Sequence, residues 1–376
     1  MTRRLRAGAV AGLLVLAGCS VSPPEPARGE VLIGVVLPLS GPDAAESYAA
    51  YEAVARVLAE EFQGRAEGLT VSLRKLDDST GGRRDPLRGG RNLASLVADP
   101  AVVGVIGPLN SDVAAAEIPV AAAAHLVMVS PEASSACLTR DVPACRGLAR
   151  RLRSNAPVTF FRLVPSDDLE PAALLSYATT TLHLSHIAVA SDGQAYGLAE
   201  REAFLAAMKH AGLAPAATAD FDPTSATEAD AFLTAARNGG ADSVFFGGRD
   251  DGGACRVRAR MKDKLDPLAP FLGGSGLRGP ACLKDAGDAA SGLYSATSGI
   301  GSTSERAALA ARVLLRAVSS EVKAAGGNAP SREAVRAAVA RSSAPRFDGA
   351  GDTTERIFTI YRGSPTAWTA AGTVKP

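Results

Sequence analysis

The chain is predicted to be an α/β protein built from two doubly wound parallel-sheet lobes. Two observations carry this prediction. Short apolar runs alternate with segments of helical period along nearly the whole chain, and the pattern restarts near residue 165. The strand runs, such as "VVGVIG" at 102–107, are apolar throughout instead of at every second position. Strands of that kind belong to parallel sheets covered by helices on both faces. A length of 376 residues accommodates two domains of ordinary size.

The elements follow in order. "EVLIGVVLPLSG" reads as a buried strand ending in turn residues. "SYAAYEAVARVLAEEF" has helical spacing, with Tyr48, Tyr51, Ala55 and Leu58 on one side. "LTVSLRKLDD" alternates as a strand, "PLRGGRNLASLVAD" reads as a helix, and "VVGVIG" is a third strand. "DVAAAEIPVAAAAH" is a helix kinked by Pro119, and "LVMVS" and "TFFRLVP" are strands. The second block repeats the scheme: helix "EPAALLSYATTTL", strand "HIAVASD", helix "LAEREAFLAAMKHAG" with Gly212 at its end, and a short strand near "ATADF". Helix "ATEADAFLTAARNGG", strand "SVFFGG", helix "CRVRARMKD" and strands "APFLGG" and "GLYSATS" complete it. The helices "SERAALAARVLLRAVSSEVKAAGG" and "SREAVRAAVARS" lack strands of their own and are expected to pack back on the first block, before a terminal strand "RIFTIYR".

The N-terminus is set apart. Arg3, Arg4 and Arg6 precede a short apolar run, too short for the roughly 20 residues of a membrane span. That is the layout of a signal peptide, over 1–18. Leu16-Ala17-Gly18-Cys19 resembles the lipobox of bacterial lipoproteins, which makes Cys19 the lipid-bearing first mature residue. A Pro-rich tether over 19–29 follows. Four further cysteines, Cys137, Cys145, Cys255 and Cys282, suit disulfides in an exported protein. Pairing in sequence order is expected, although spacing leaves connectivity open. No C-x-x-C and no neighbouring histidine supports a metal site.

Several chemistries are excluded. A near-balanced net charge of +1 gives no sign of the basic face that nucleic acid would want. His125 and His210 fall near helix ends, and His183 and His186 have no adjacent acidic or thiol partner. H-E-x-x-H, Walker and G-x-S-x-G patterns are absent. "GSGLRG" at 274–279 fits G-x-G-x-x-G, but the next strand ends without the acid a dinucleotide site wants. Its glycines instead allow close approach of the backbone to a cleft. No cofactor and no catalytic group is expected.

In open α/β sheets ligands sit beyond the carboxyl ends of the strands. Candidate rims are therefore 38–42, 110–112, 130–134, 191–197, 247–251 and 273–276. Ser111 and Ser134 follow strands joined by one βαβ crossover, so both lie on the same sheet edge. The helix start after Ser111 favours an anion through free N–H groups and dipole. The plainer alternative is Ser111 as an N-cap with Asp112 in the first turn.

"IGVVLPLSGP", "VVGVIGPLNS", "LVMVSPEAS", "FFRLVPSDD", "SDGQAYG" and "SVFFGG" come in the order seen in type 1 periplasmic binding proteins. The chain most resembles the leucine/isoleucine/valine-binding class that feeds ABC importers. The resemblance implies two lobes joined by a three-crossing hinge, near Val164, Gly287 and Pro345. The lobes would be 30–164 plus 288–345, and 165–287 plus 346–376. It also implies hinge closure on a small ligand and no catalysis. By residue, it implies that Ser111 holds a ligand carboxylate, with Glu132 (through its backbone) and Ser134 beside it. Tyr196 and Phe246 would cover the ligand from the second lobe, and Asp168 matches an acidic position after the first crossing. Where amino-acid binders carry a Glu that pairs with the ligand ammonium, this chain has Ser275. A hydroxyl is no counter-charge for a desolvated ammonium; Asp168 or the Glu132 side chain would have to compensate. The expected protein is an extracytoplasmic, lipid-anchored solute-binding protein on the bacterial cell membrane, delivering a small polar ligand to an ABC permease. A ligand sensor for a membrane receptor or kinase, or a scaffold with a degenerate cleft, is the alternative.

Overall fold

The computed structural model describes residues 29–142, 145–153, 156–299 and 301–375. The signal peptide, Cys19 and the tether up to Arg28 lie outside the described residues.

The first lobe contains β1 (Glu30–Leu37), β2 (Arg65–Ala66), β3 (Leu69–Asp77), a small hairpin of β4 (Ser79–Thr80) and β5 (Arg83–Arg84), β6 (Val102–Ile106), β7 (Val127–Ser130) and β8 (Phe160–Arg162). The sheet order is β2-β3-β1-β6-β7-β8, parallel except for the short β2. The chain moves outward from β1 to β3, then jumps back across β1 to β6. That reversal opens a crevice at the carboxyl ends of β1 and β6. Side chains of β1 divide by period two. Val31, Ile33, Val35 and Leu37 enter one core, while Val36 enters the other. Helices α1 (Ala44–Arg56), α2 (Pro86–Val97), α3 (Ser111–Ala123) and α4 (Leu148–Arg153) cover the two faces.

The buried face of α1 is Ser47, Ala50 and Val54. Tyr48 is largely exposed, and the rings of Tyr48 and Tyr51 instead lie under the Lys75 ammonium, at 5.0 and 4.5 Å. Asp85 caps α2, accepting from the N–H groups of Leu87 and Arg88, with Pro86 in the first turn. Helix α3 runs through Pro119 without interruption.

The second lobe contains α5 (Glu170–Thr180), β9 (Ile187–Ser191), α6 (Ala195–His210), β10 (Thr218–Asp220), α7 (Ala226–Asn238), β11 (Ser243–Gly247), α8 (Ala254–Lys264), β12 (Phe271–Gly273), α9 (Pro280–Ala286) and β13 (Leu293–Ser298). Helices α10 (Thr303–Ala324) and α11 (Arg332–Ala340) return to the first lobe and join its core through residues such as Leu314, Val318 and Val335. β14 (Phe358–Gly363) and β15 (Trp368–Val374) then close the second sheet, in the order β10-β9-β11-β12-β13-β14-β15. The last two are antiparallel to their neighbours. Strand β15 was not foreseen, because Thr369, Ala370 and Thr373 on an edge strand carry no apolar run. Its Trp368, the single tryptophan of the chain, joins the core of the second lobe and donates from Nε1 to the Gly279 carbonyl at 3.4 Å.

Sheet membership corrects two boundaries. β13 pairs with β12 and β14, so residues 293–298 belong with the second sheet and the chain crosses between β13 and α10, not near Gly287. Phe347 packs on Phe161 of the first lobe (centroids 5.1 Å apart), and Asp352 bridges to Arg162. The third crossing therefore lies between Asp352 and β14, not near Pro345. Both errors share one cause. Where the chain changes lobes, a short segment carries no local sign of which sheet it joins.

Cys137 pairs with Cys145, and Cys255 with Cys282. The second disulfide is buried between α8 and α9, and its partners are 27 positions apart. By loop-closure entropy it contributes about 3–4 kcal/mol. We expect a Cys255→Ser, Cys282→Ser double variant to lose that much stability in urea unfolding under non-reducing conditions. A change under about 1 kcal/mol would count against the entropic account.

Candidate functional site

A cavity of about 510 Å³ lies between the two sheets, at the crossings. The first lobe contributes Glu46 from α1, Leu109 after β6, and Glu132 and Ser134 after β7. The second contributes Glu170 at the start of α5, Ser275 and Arg278 after β12, Ser298 at the end of β13 and Tyr361 on β14. Thr303 and Arg306, on the first turn of α10, complete the wall beside the second crossing. Gly299 is needed at that crossing: its φ is +85°, and a Cβ there would meet Val164 at 2.8 Å.

Glu170 is the most constrained of these groups. It is 1% exposed. One carboxylate oxygen accepts from the Ser275 N–H at 3.0 Å, and the other from the N–H and hydroxyl of Ser298, both at 2.9 Å. Burial, and then the nearby Asp167, push its pKa up to about 7, against the pull of those hydrogen bonds. Asp167 is raised to about 6, chiefly by burial, while its carboxylate accepts from the Ala136 N–H at 2.9 Å. Glu200 lies behind Gly274 with a buried oxygen that has no hydrogen-bond partner among the described residues, and burial drives its pKa well up.

On the opposite side Glu132 pairs with Arg306 and accepts from the Thr303 hydroxyl at 2.6 Å. The loop that carries Glu132 and Ser134 rests on Arg162, which is fully buried at the end of β8. Its guanidinium donates to the carbonyls of Ser134 and Ser135 at 2.6 and 2.8 Å, to the Thr139 hydroxyl, and to Asp352 at 2.8 Å. One side chain thus ties the cleft loop to the chain approaching the third crossing.

Of the residues expected at the site, Glu132, Ser134 and Ser275 line the cavity. The Glu132 carboxylate bonds Arg306 and Thr303, which line the cavity too. Four do not line it. Ser111 stands one bond behind the wall, its hydroxyl accepting from the Ser135 N–H at 3.1 Å. It is not the N-cap either. That position is Asn110, whose side chain makes no capping bond. Asp168 accepts from Arg140 at 3.2 Å and from Ser166 at 2.5 Å. The Tyr196 hydroxyl accepts from the Gly276 N–H at 3.1 Å, and its ring carries Arg249. Phe246 is corrected outright: it is fully buried and packs between Phe221 and Phe271, at 5.6 and 5.9 Å. β11 is covered on both faces, so its aromatic side chains point into helix-packed cores instead of over the rim. Sequence reasoning missed Glu170, Arg278, Arg306 and Tyr361. Glu170 reads as an ordinary first-turn acid, and nothing local separates it from one.

The buried acids give a pH prediction. Asp78 is also fully buried, with its pKa raised to about 7 by burial and by Asp77. Asp78, Asp167 and Glu170 all have folded values above their unfolded ones. Their contribution is therefore fully present below about pH 4 and is lost as pH rises through about 6 to 7. We expect the melting temperature of the unliganded protein to fall by several degrees between pH 5 and pH 8. A flat or rising profile there would contradict it.

The periplasmic binding protein family profile matches residues 30–340. The Leu/Ile/Val-binding protein BraC3 of Rhizobium johnstonii is 27% identical over 267 residues, 71% of this chain and 67% of that protein. A leucine-binding protein of Thermotoga maritima superposes with a TM-score of 0.63 at 18% identity, covering 92% of this chain and 99% of that one. An ABC transporter substrate-binding protein of Desulfitobacterium hafniense in complex with Leu gives 0.68 at 17% identity, covering 91% and 99%. With two α/β sheets, a three-way crossing and a cavity between them, the chain belongs to the periplasmic binding protein family, whose members bind solutes outside the cytoplasm and are not enzymes.

Proposed function

We propose that the protein captures a zwitterionic solute, an α-amino acid, between its lobes and delivers it to an ABC permease while anchored to the bacterial cell membrane through lipid on Cys19. The observation that carries the reading is Glu170. It stands directly under the Ser275 N–H, at the position where the resemblance led us to expect a counter-charge and to find only a hydroxyl. It supplies the carboxylate for the ligand ammonium. Ser134, whose carbonyl rests on Arg162 and whose neighbour Ser135 is held by Ser111, faces the ligand carboxylate from the first lobe.

The test is a melting screen of the soluble domain against amino acids, their amides and carboxylic acids lacking the amine. A ligand that binds only the folded state raises stability by about 2.7 kcal/mol at a hundredfold excess over Kd. Amino acids should shift the transition and the deaminated acids should not. A screen without any shift would remove solute capture as the function.

A further inference from the structure

Resting on the amino-acid reading above, we infer that the preferred ligand has an acidic side chain, and that Arg278 on the face of Tyr361 is the residue that selects it. Two features of the cavity lead there. The first is the lack of an apolar wall. Among the described residues, Leu109 and Val164 are the only aliphatic side chains that line it, against hydroxyls from Ser134, Ser275, Ser298, Thr303, Thr359 and Tyr361 among others. A leucine-type side chain would strip water from these groups and return no hydrogen bond, at a cost for each. A ligand polar along its whole length replaces those bonds.

The second feature is the arrangement of charge. Arg306 is matched by Glu132 within the protein. Arg84 lies 3.8 Å from Asp43. Arg278 also lines the cavity, and among the described residues no carboxylate lies within 4.0 Å of it. Its guanidinium instead lies 4.2 Å from the Tyr361 ring centroid, stacked and held in place. Ser275 and Arg278 share one short turn, with the Arg278 N–H bonded to the Ser275 carbonyl at 3.1 Å. Glu170 below Ser275 and Arg278 at the end of the turn therefore present an anion and a cation from one wall, not paired to each other. With an ammonium on Glu170, Arg278 offers a planar, two-pronged donor to the rest of the ligand. That donor fits a carboxylate.

The experiment compares L-glutamate, L-aspartate, L-glutamine, L-asparagine and L-leucine by calorimetry on wild type, Arg278→Gln and Arg278→Lys. We expect wild type to prefer an acid over its amide by about tenfold or more, the scale of a charge-assisted bidentate contact. Arg278→Gln should reduce that ratio to within about threefold, and Arg278→Lys should leave it between the two. The melting temperature of each unliganded variant checks that it is folded. Tighter binding of leucine than of either acid, or an acid-to-amide ratio unmoved by Arg278→Gln, would overturn the inference and leave amino-acid capture standing. Binding of none of the five would overturn the capture reading itself.

Discussion

Glu170→Gln is expected to weaken the amino acid selected by the melting screen by about 2–5 kcal/mol, the cost of removing one partner of a buried, hydrogen-bonded charge pair. The amide retains one oxygen for the two Ser298 donors, but its NH₂ group then faces the Ser275 N–H that the carboxylate now accepts from. The same substitution should change the pH dependence. In wild type, Glu170 titrates near 7 in the unliganded cleft, and an ammonium requires it ionised. Binding therefore releases a proton near neutral pH, and affinity falls by up to about tenfold per pH unit below that value. Calorimetry in buffers of different ionisation enthalpy measures the proton. If wild type releases none, or if the variant binds as tightly, Glu170 is not the counter-charge.

The largest effect on stability should come from Asp352→Ala. Arg162 has 0% side-chain exposure, and Asp352 is its only carboxylate partner among the described residues. Removing one member of such a pair costs about 3–5 kcal/mol, because the remaining charge stays buried. Here the loss should appear twice. The carbonyls of Ser134 and Ser135 rest on the same guanidinium, so the cleft loop loosens as the lobe is destabilised. A second substitution, Arg162→Met, should recover much of the stability but not the ligand affinity, since the loop still lacks its support. Urea unfolding and calorimetry on the two variants separate these effects. Equal recovery of both would make the network purely structural.

The parts of the fold legible in the sequence were those set by period and burial. β1, β6, β7, β9 and β11 are apolar because both faces are covered, and they announce themselves. β13 lies at a lobe crossing and β15 at the sheet edge, and in neither place does composition say which sheet the strand joins. The site shows the same division. Ser134 and Ser275 follow strand ends, which put both on candidate rims, and the resemblance singled them out there. Glu170 precedes Ser275 by 105 positions, and only the packing of α5 against β12 and β13 brings the two together. The absence of an acid at 275 was visible. The approach of Glu170 to the Ser275 N–H was not, because no local rule links a first-turn glutamate to a loop across the lobe. Phe246 failed for the opposite reason: a strand-end aromatic has two faces to choose from, and motif position does not decide between them.

Trp368 gives the cleft a built-in optical reporter. It is the single indole of the chain, and its N–H rests on the carbonyl of Gly279, immediately after Arg278. Emission excited selectively from tryptophan therefore comes from one site, tethered to the turn that carries Ser275 and Arg278. If solute binding moves that turn, the indole loses or tightens its hydrogen bond, and the emission maximum shifts without any label. Stopped-flow mixing would then follow ligand arrival at the second lobe in real time, on the unmodified protein.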